Sequence, residues 1–107
     1  MNLNNIHSVY FIGVGGIGMS AIARFFKQKG IEVSGYDKTE TPLTIQLNKE
    51  NIAVHYKDDI QLLNKEAELV VYTPAIPANN LELCWYRENN FQVIKRSDVL
   101  QMISEQM

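Results

Sequence analysis

The 107-residue chain has one cysteine, Cys84, and so no internal disulfide. With no metal-ligand spacing around it, that thiol fits a reducing cytoplasm and is expected to be a small buried side chain. Positive charge is not in excess: 10 Lys and Arg stand against 12 Asp and Glu, a formal net charge of −2. The basic footprint of a nucleic-acid binder is therefore missing. No apolar run nears the roughly 18 residues that a membrane helix needs. The polar stretch Met1–His7 has neither the basic start nor the apolar core of a signal peptide. Neither a nucleic acid nor a membrane is expected as a partner, and the cytoplasm is the expected location. The chain also lacks a Gly-x-x-x-x-Gly-Lys-Ser/Thr phosphate loop, and no residues have the spacing of a catalytic triad, a zinc site or a general acid–base pair.

The composition, 46% hydrophobic and 21% charged, is that of an ordinary globular chain, and its length suits one domain over 1–107. Val9–Ile12 is a near-continuous apolar run ending at Gly13, the pattern of a strand buried on both faces. From Ile17 to Lys29 the spacing turns helical, with Ile17, Ala21, Ile22, Phe25 and Phe26 as the stripe and Gly30 as the C′ residue. Ile31–Tyr36 reads as a second strand. Thr41-Pro42 opens a short helix to about Glu50 as N-cap and first helical residue, with Leu43 and Leu47 on one face. Ile52–His55 is a third strand, and Asp58 is expected to cap a short helix carrying Ile60, Leu62 and Leu63. Leu69–Tyr72 is a fourth strand and runs into the loop Thr73–Pro77. Asn79 or Asn80 caps a helix whose Leu81, Cys84 and Trp85 lie on one side. Phe91–Ile94 is a fifth strand, and Ser97 and Asp98 cap a last helix with Val99, Leu100, Met102 and Ile103. Strand–helix alternation of this kind means a parallel sheet with right-handed crossovers and helices on both faces. The expected fold is α/β: a Rossmann-like three-layer domain with a five-stranded parallel sheet.

Ligands of such sheets sit beyond the carboxyl ends of the strands, where the strand order reverses. Gly13-Val14-Gly15-Gly16-Ile17-Gly18 matches Gly-x-Gly-x-x-Gly, directly between a strand and a helix. Gly13 permits the tight turn, Gly15 lets a pyrophosphate approach the backbone, and Gly18 lets helix and strand pack closely. The first helical turn, with Met19 and Ser20, offers N–H groups that have no partner within the helix. Asp37 follows Gly18 by 19 residues and ends the second strand, where a carboxylate can accept from ribose hydroxyls or cap the next turn. Thr73 can donate to a phosphate or a base, or cap the turn before Pro74. His55 reads as structural, Trp85 and Tyr86 as core and rim. Lys95-Arg96 can meet a phosphate or form a solvated pair. The turn and the acid together describe a ligand with a ribose and a diphosphate. The chain has the means to hold a nucleotide but not to transform it.

The run Tyr10–Ala23, with its Gly-Val-Gly-Gly-Ile-Gly-Met-Ser core, resembles the opening of the bacterial Mur ligases, and the likeness covers nearly the whole chain. Gly35-Tyr36-Asp37 is similar to the family's Gly-Ser-Asp after the second strand, and Val70–Ile76 to its Val-Val-x-Ser-Ser-Ala-Ile. Val93–Arg96 with Leu100 is similar to the stretch before its central domain. The resemblance implies an N-terminal UDP-substrate domain of a three-domain ligase of peptidoglycan biosynthesis. That enzyme joins L-alanine to UDP-N-acetylmuramate with ATP and Mg²⁺ through an acyl phosphate. The ATP-binding loop would follow shortly after Met107, so 1–107 alone is expected to be inactive and to hold no cofactor, with the remaining ligase domains as its partners in cis. By the same resemblance, Gly15, Gly16, Ile17 and Gly18 would cradle the diphosphate, with Met19 in the same turn. Asp37 would face the uridine, with Thr73, Ala75 and Ile76 beside it. Relatives carry a histidine shortly after the third strand, where this chain has Asp58. Two other readings remain: an NAD-binding regulatory module and the nucleotide domain of a dehydrogenase. Gly16, Met19-Ser20 and Thr73–Ile76 have an assigned reason only in the Mur pattern.

Overall fold

The computed structural model describes residues Leu3–Gln106. After a 3-10 turn at Leu3–Asn5, the order is β1 (Ser8–Ile12), α1 (Ile17–Gln28), β2 (Glu32–Tyr36), α2 (Pro42–Lys49), β3 (Ala53–His55), β4 (Leu69–Tyr72), α3 (Leu81–Glu88), β5 (Val93–Lys95) and α4 (Arg96–Glu105). The five strands form one parallel sheet in the order β3-β2-β1-β4-β5. The chain builds outward from β1 to β3, then returns to the other side of β1, so the order reverses between β1 and β4. β1 is buried along its whole length because strands flank it and both faces are covered. Side chains alternate across the sheet. Val9 and Phe11 join a core with Met19, Ile22, Phe26, Leu47 and Val99 under α1, α2 and α4. Tyr10 and Ile12 face the other way, onto Leu63, Ala67, Leu83 and Tyr86.

The fold class matches the sequence expectation, and five details differ. No helix follows β3. The Asp59 carboxylate accepts from the Gln61 N–H at 2.9 Å and fixes a turn, and of the three expected apolar residues only Leu63 is buried. Asp58 does cap a helix, but a distant one: its carboxylate accepts from the N–H groups of Leu81 and Glu82 at the start of α3, at 2.8 and 3.0 Å. Asn80 supplies the second cap there through Leu83 N–H. The buried face of α3 is Glu82, Leu83 and Tyr86, whereas Leu81 is 57% exposed and Cys84 and Trp85 are half-buried. On α1 the buried stripe is Met19, Ile22, Ala23 and Phe26, leaving Ile17 86% exposed. Finally, α4 starts at Arg96 with Lys95 as its N-cap, and neither Ser97 nor Asp98 caps it.

Candidate functional site

The turn after β1 is fastened to the end of β2: the N–H groups of Gly13 and Val14 both donate to the Tyr36 carbonyl, at 2.7 and 3.1 Å. Each glycine of the turn has its own reason. Gly13 has φ +93°, and a Cβ on it would stand 2.3 Å from Thr73 Cγ2, so the turn and the end of β4 touch there. Gly15 donates its N–H to Asp37 Oδ2 at 2.8 Å, and a Cβ would meet that oxygen at 2.6 Å and Thr44 Cγ2 at 2.8 Å. Gly18 makes room for Arg96, whose Nη1 lies 3.0 Å from the Cβ position, rather than for a strand. Gly16 differs from the others. Its backbone is extended, at φ −69° and ψ 150°, and a Cβ would find only the Gly13 carbonyl, at 3.9 Å. None of the described residues requires glycine there.

Gly16 faces a cavity of about 540 Å³ at the carboxyl ends of β1, β2 and β4, where the strand order reverses. The volume is in the range of small-molecule sites. Of the residues expected to bind, Gly16, Ile17, Gly18, Met19, Asp37, Thr73, Ala75 and Ile76 line it together, and Gly15 sits behind the wall on Asp37. Sequence reasoning did not assign Tyr36, Lys38, Pro77, Asn79, Asn80 or Arg96, which also line it, and left Asp58 open. Among these, only the Lys95-Arg96 pair carried a signal.

At the floor of this cavity, α1 begins without a side-chain cap. Its first internal bond runs from Ser20 N–H to the Gly16 carbonyl, and the N–H groups of Ile17, Gly18 and Met19 find no acceptor among the described residues. An anion is the natural complement of such a terminus. Asp37 accepts from Gly15 N–H and, through Oδ1, from Thr39 N–H at 3.1 Å. Both roles read from the sequence are therefore compatible: it caps its turn, and a carboxylate has lone pairs left for hydroxyl donors. Thr73 closes its own turn, accepting from Ile76 N–H through its carbonyl at 3.0 Å. Tyr36 lines the cavity, and burial, then the carboxylates of Asp58, Glu82 and Asp37, hold its phenol above the ordinary value.

Behind the wall lies a polar cluster. Glu82 is fully buried; Tyr10 donates its hydroxyl to it, Asp59 donates its N–H at 3.2 Å, and His55 Nε2 lies 2.7 Å from Oε2. His55 Nε2 is also 3.1 Å from the Tyr10 hydroxyl, which agrees with its structural reading. The cluster ties β1, β3 and α3 together beneath Asp58.

A model of the Mur ligase family, catalytic domain, matches residues 8–107. The chain belongs to the Mur ligase family. Over its full length it is 52% identical to the UDP-N-acetylmuramate–L-alanine ligase of Cytophaga hutchinsonii, of which it spans 24%. The crystal structure of the UDP-N-acetylmuramate–alanine ligase from Thermotoga maritima matches with a TM-score of 0.87 at 28% identity, over 92% of this chain and 23% of that one. A D-isomer-specific 2-hydroxyacid dehydrogenase from Lactobacillus delbrueckii, complexed with NAD, reaches a TM-score of 0.50 at 28% identity over 74% of this chain and 21% of that one. This Mur ligase chain thus spans about a quarter of the proteins it matches. Among its described residues no three His, Cys, Asp or Glu side chains are grouped to hold a metal ion. No helix among them is long and apolar enough to cross a membrane.

Proposed function

We propose that residues 1–107 form the N-terminal domain of a cytoplasmic ligase of peptidoglycan biosynthesis, and that its cavity binds the UDP part of UDP-N-acetylmuramate. The observation that carries this reading is Gly16: a glycine that no neighbour among the described residues demands, set among three N–H groups without an acceptor there, at the reversal of strand order. A diphosphate accounts for all of it. Its oxygens accept from those N–H groups, and its approach needs the space that a Cβ would fill. Asp37 and the Tyr36 hydroxyl, on the β2 side, suit the ribose and uracil; Thr73, Ala75 and Ile76 form the facing wall.

The whole protein, on this reading, joins L-alanine to UDP-N-acetylmuramate with ATP and Mg²⁺. The residues present here do not fit those two groups: the sequence has no Gly-Lys-Thr phosphate loop, and among the described residues no carboxylates are grouped for a metal. ATP and Mg²⁺ are assigned to the remaining ligase domains, and the present domain contributes binding and orientation. The full-length protein should release ADP only when UDP-N-acetylmuramate and L-alanine are both present. ADP release that ignores the UDP-sugar would overturn the assignment. The resemblance to an NAD-bound dehydrogenase supports NAD as the second reading, which direct competition between the two nucleotides decides.

A further inference from the structure

Arg96 is the first residue of α4, at the carboxyl end of β5, far in sequence from the glycine turn. The fold nevertheless lays it across the start of α1. Its Nη1 lies 3.0 Å, and its Cδ and Cζ 3.8 Å, from the point where a Gly18 Cβ would stand. Gly18 is thus the seat of the arginine, and a Cβ at 18 would press its Nη1 end back by a few tenths of an ångström. Arg96 lines the cavity beside Gly16 and Gly18.

The two carboxylates of the cavity wall are partly committed. Asp37 holds the N–H groups of Gly15 and Thr39, and Asp58 holds those of Leu81 and Glu82. The Arg24 guanidinium, elsewhere on α1, is forked onto Glu50 at 2.8 and 3.0 Å. The Arg96 guanidinium, by contrast, has no hydrogen bond and no ion pair among the described residues. A guanidinium keeps its charge at any physiological pH, and its planar fork matches phosphate oxygens in pairs. The cavity's other cation, Lys38, adjoins Asp37 at the end of β2, on the side assigned to the nucleoside.

We propose that Arg96 is the side-chain ligand of the diphosphate, held over the start of α1 by its seat on Gly18. This rests on the UDP reading above and adds a residue to it. The arginine also sets a charge preference, since a ligand lacking phosphates gains nothing from it. Because α4 begins at Arg96, the bound diphosphate also fastens α1 to α4.

The test compares wild type, Arg96→Gln, Arg96→Lys and Gly18→Ala in the full-length protein, titrated with UDP and with uridine, with thermal melting alongside. Arg96→Gln should weaken UDP binding tenfold or more and leave uridine within twofold. Arg96→Lys should recover part of the loss. Gly18→Ala asks the Nη1 end of Arg96 to give by only a few tenths of an ångström and should weaken UDP binding less than Arg96→Gln does. In turnover the KM for the UDP-sugar rises in Arg96→Gln while the KM for ATP stays. If Arg96→Gln lowers UDP and uridine affinity equally, or only the melting temperature, the residue is structural and the proposal fails while the UDP reading stands. If wild type binds no UDP, the underlying reading fails and the arginine assignment with it.

Discussion

Replacing Gly16 by alanine separates fold from ligand more cleanly than any other change in the turn. At φ −69° and ψ 150° the backbone suits any L-residue, and the new Cβ would meet nothing nearer than the Gly13 carbonyl at 3.9 Å. Glycine's extra freedom in the unfolded chain is lost at no native cost, which stabilises by about 0.4–1 kcal/mol. For a domain of this size that corresponds to a rise of roughly 2–8 °C in Tm. On the proposed reading, the same methyl group would occupy the space through which a phosphate reaches the N–H groups of Ile17, Gly18 and Met19. Losing even one charge-assisted hydrogen bond costs about 1.5–3 kcal/mol, a tenfold to hundredfold loss of affinity. The two effects have opposite signs: a more stable protein that binds UDP less well. Differential scanning calorimetry and isothermal titration with UDP read both on one preparation. A Gly16→Ala protein that binds UDP as tightly as wild type would refute the reasoning, because the open face of Gly16 would then have no ligand to explain it.

Three other perturbations follow from the same geometry. Gly13→Ala should destabilise by about 1–3 kcal/mol through its positive φ alone, and more through the 2.3 Å approach to Thr73, read as a lower urea midpoint; an unchanged midpoint would contradict the turn geometry. Glu82→Ala strips the buried partner from the Tyr10 hydroxyl and His55 and should cost about 2–4 kcal/mol; a cost under about 0.5 kcal/mol would mean that the cluster is not structural. The phenols of Tyr10, Tyr36 and Tyr86 are held above their ordinary 10.0, by burial first and then, for Tyr10 and Tyr86, by Glu82 and, for Tyr36, by Asp58. The unfolded chain therefore releases these protons first, so their contribution is complete below pH 10 and is lost as pH rises beyond it. Melting temperatures measured from about pH 8 to about pH 11 should fall only at the alkaline end, and a flat profile there would contradict the burial of these rings.

How much of this was legible in the sequence depended on the range of the interaction. The apolar run of β1, the Thr41-Pro42 start of α2, the Asn80 cap and the glycine turn are local patterns, and the structure has them where the residues placed them. Eight of the nine expected site residues line one cavity because all lie at strand ends that a parallel sheet must bring together. The misses come from side chains that reach across the fold. Asp58 reads as the start of a local helix, but its acceptors are more valuable to the N-terminus of α3. Glu82 carries no mark of burial in the sequence, yet Tyr10 of β1 and His55 of β3 satisfy it inside. Ile17 counts as apolar and therefore buried, but it stands at the rim of the cavity. Gly18 and Arg96 are separated by most of the chain, and no periodicity announces their contact.

The central claim is that this cavity holds the diphosphate of a uridine nucleotide. Two-dimensional NMR of the labelled protein, titrated separately with UDP and NAD at equal concentration and low salt, tests it most directly. UDP should shift the amides of Gly16, Ile17, Gly18 and Met19 together with those of Asp37, Thr73 and Ile76, and NAD should not displace it. Shifts at these amides with NAD and none with UDP would contradict the account and transfer the site to a dinucleotide.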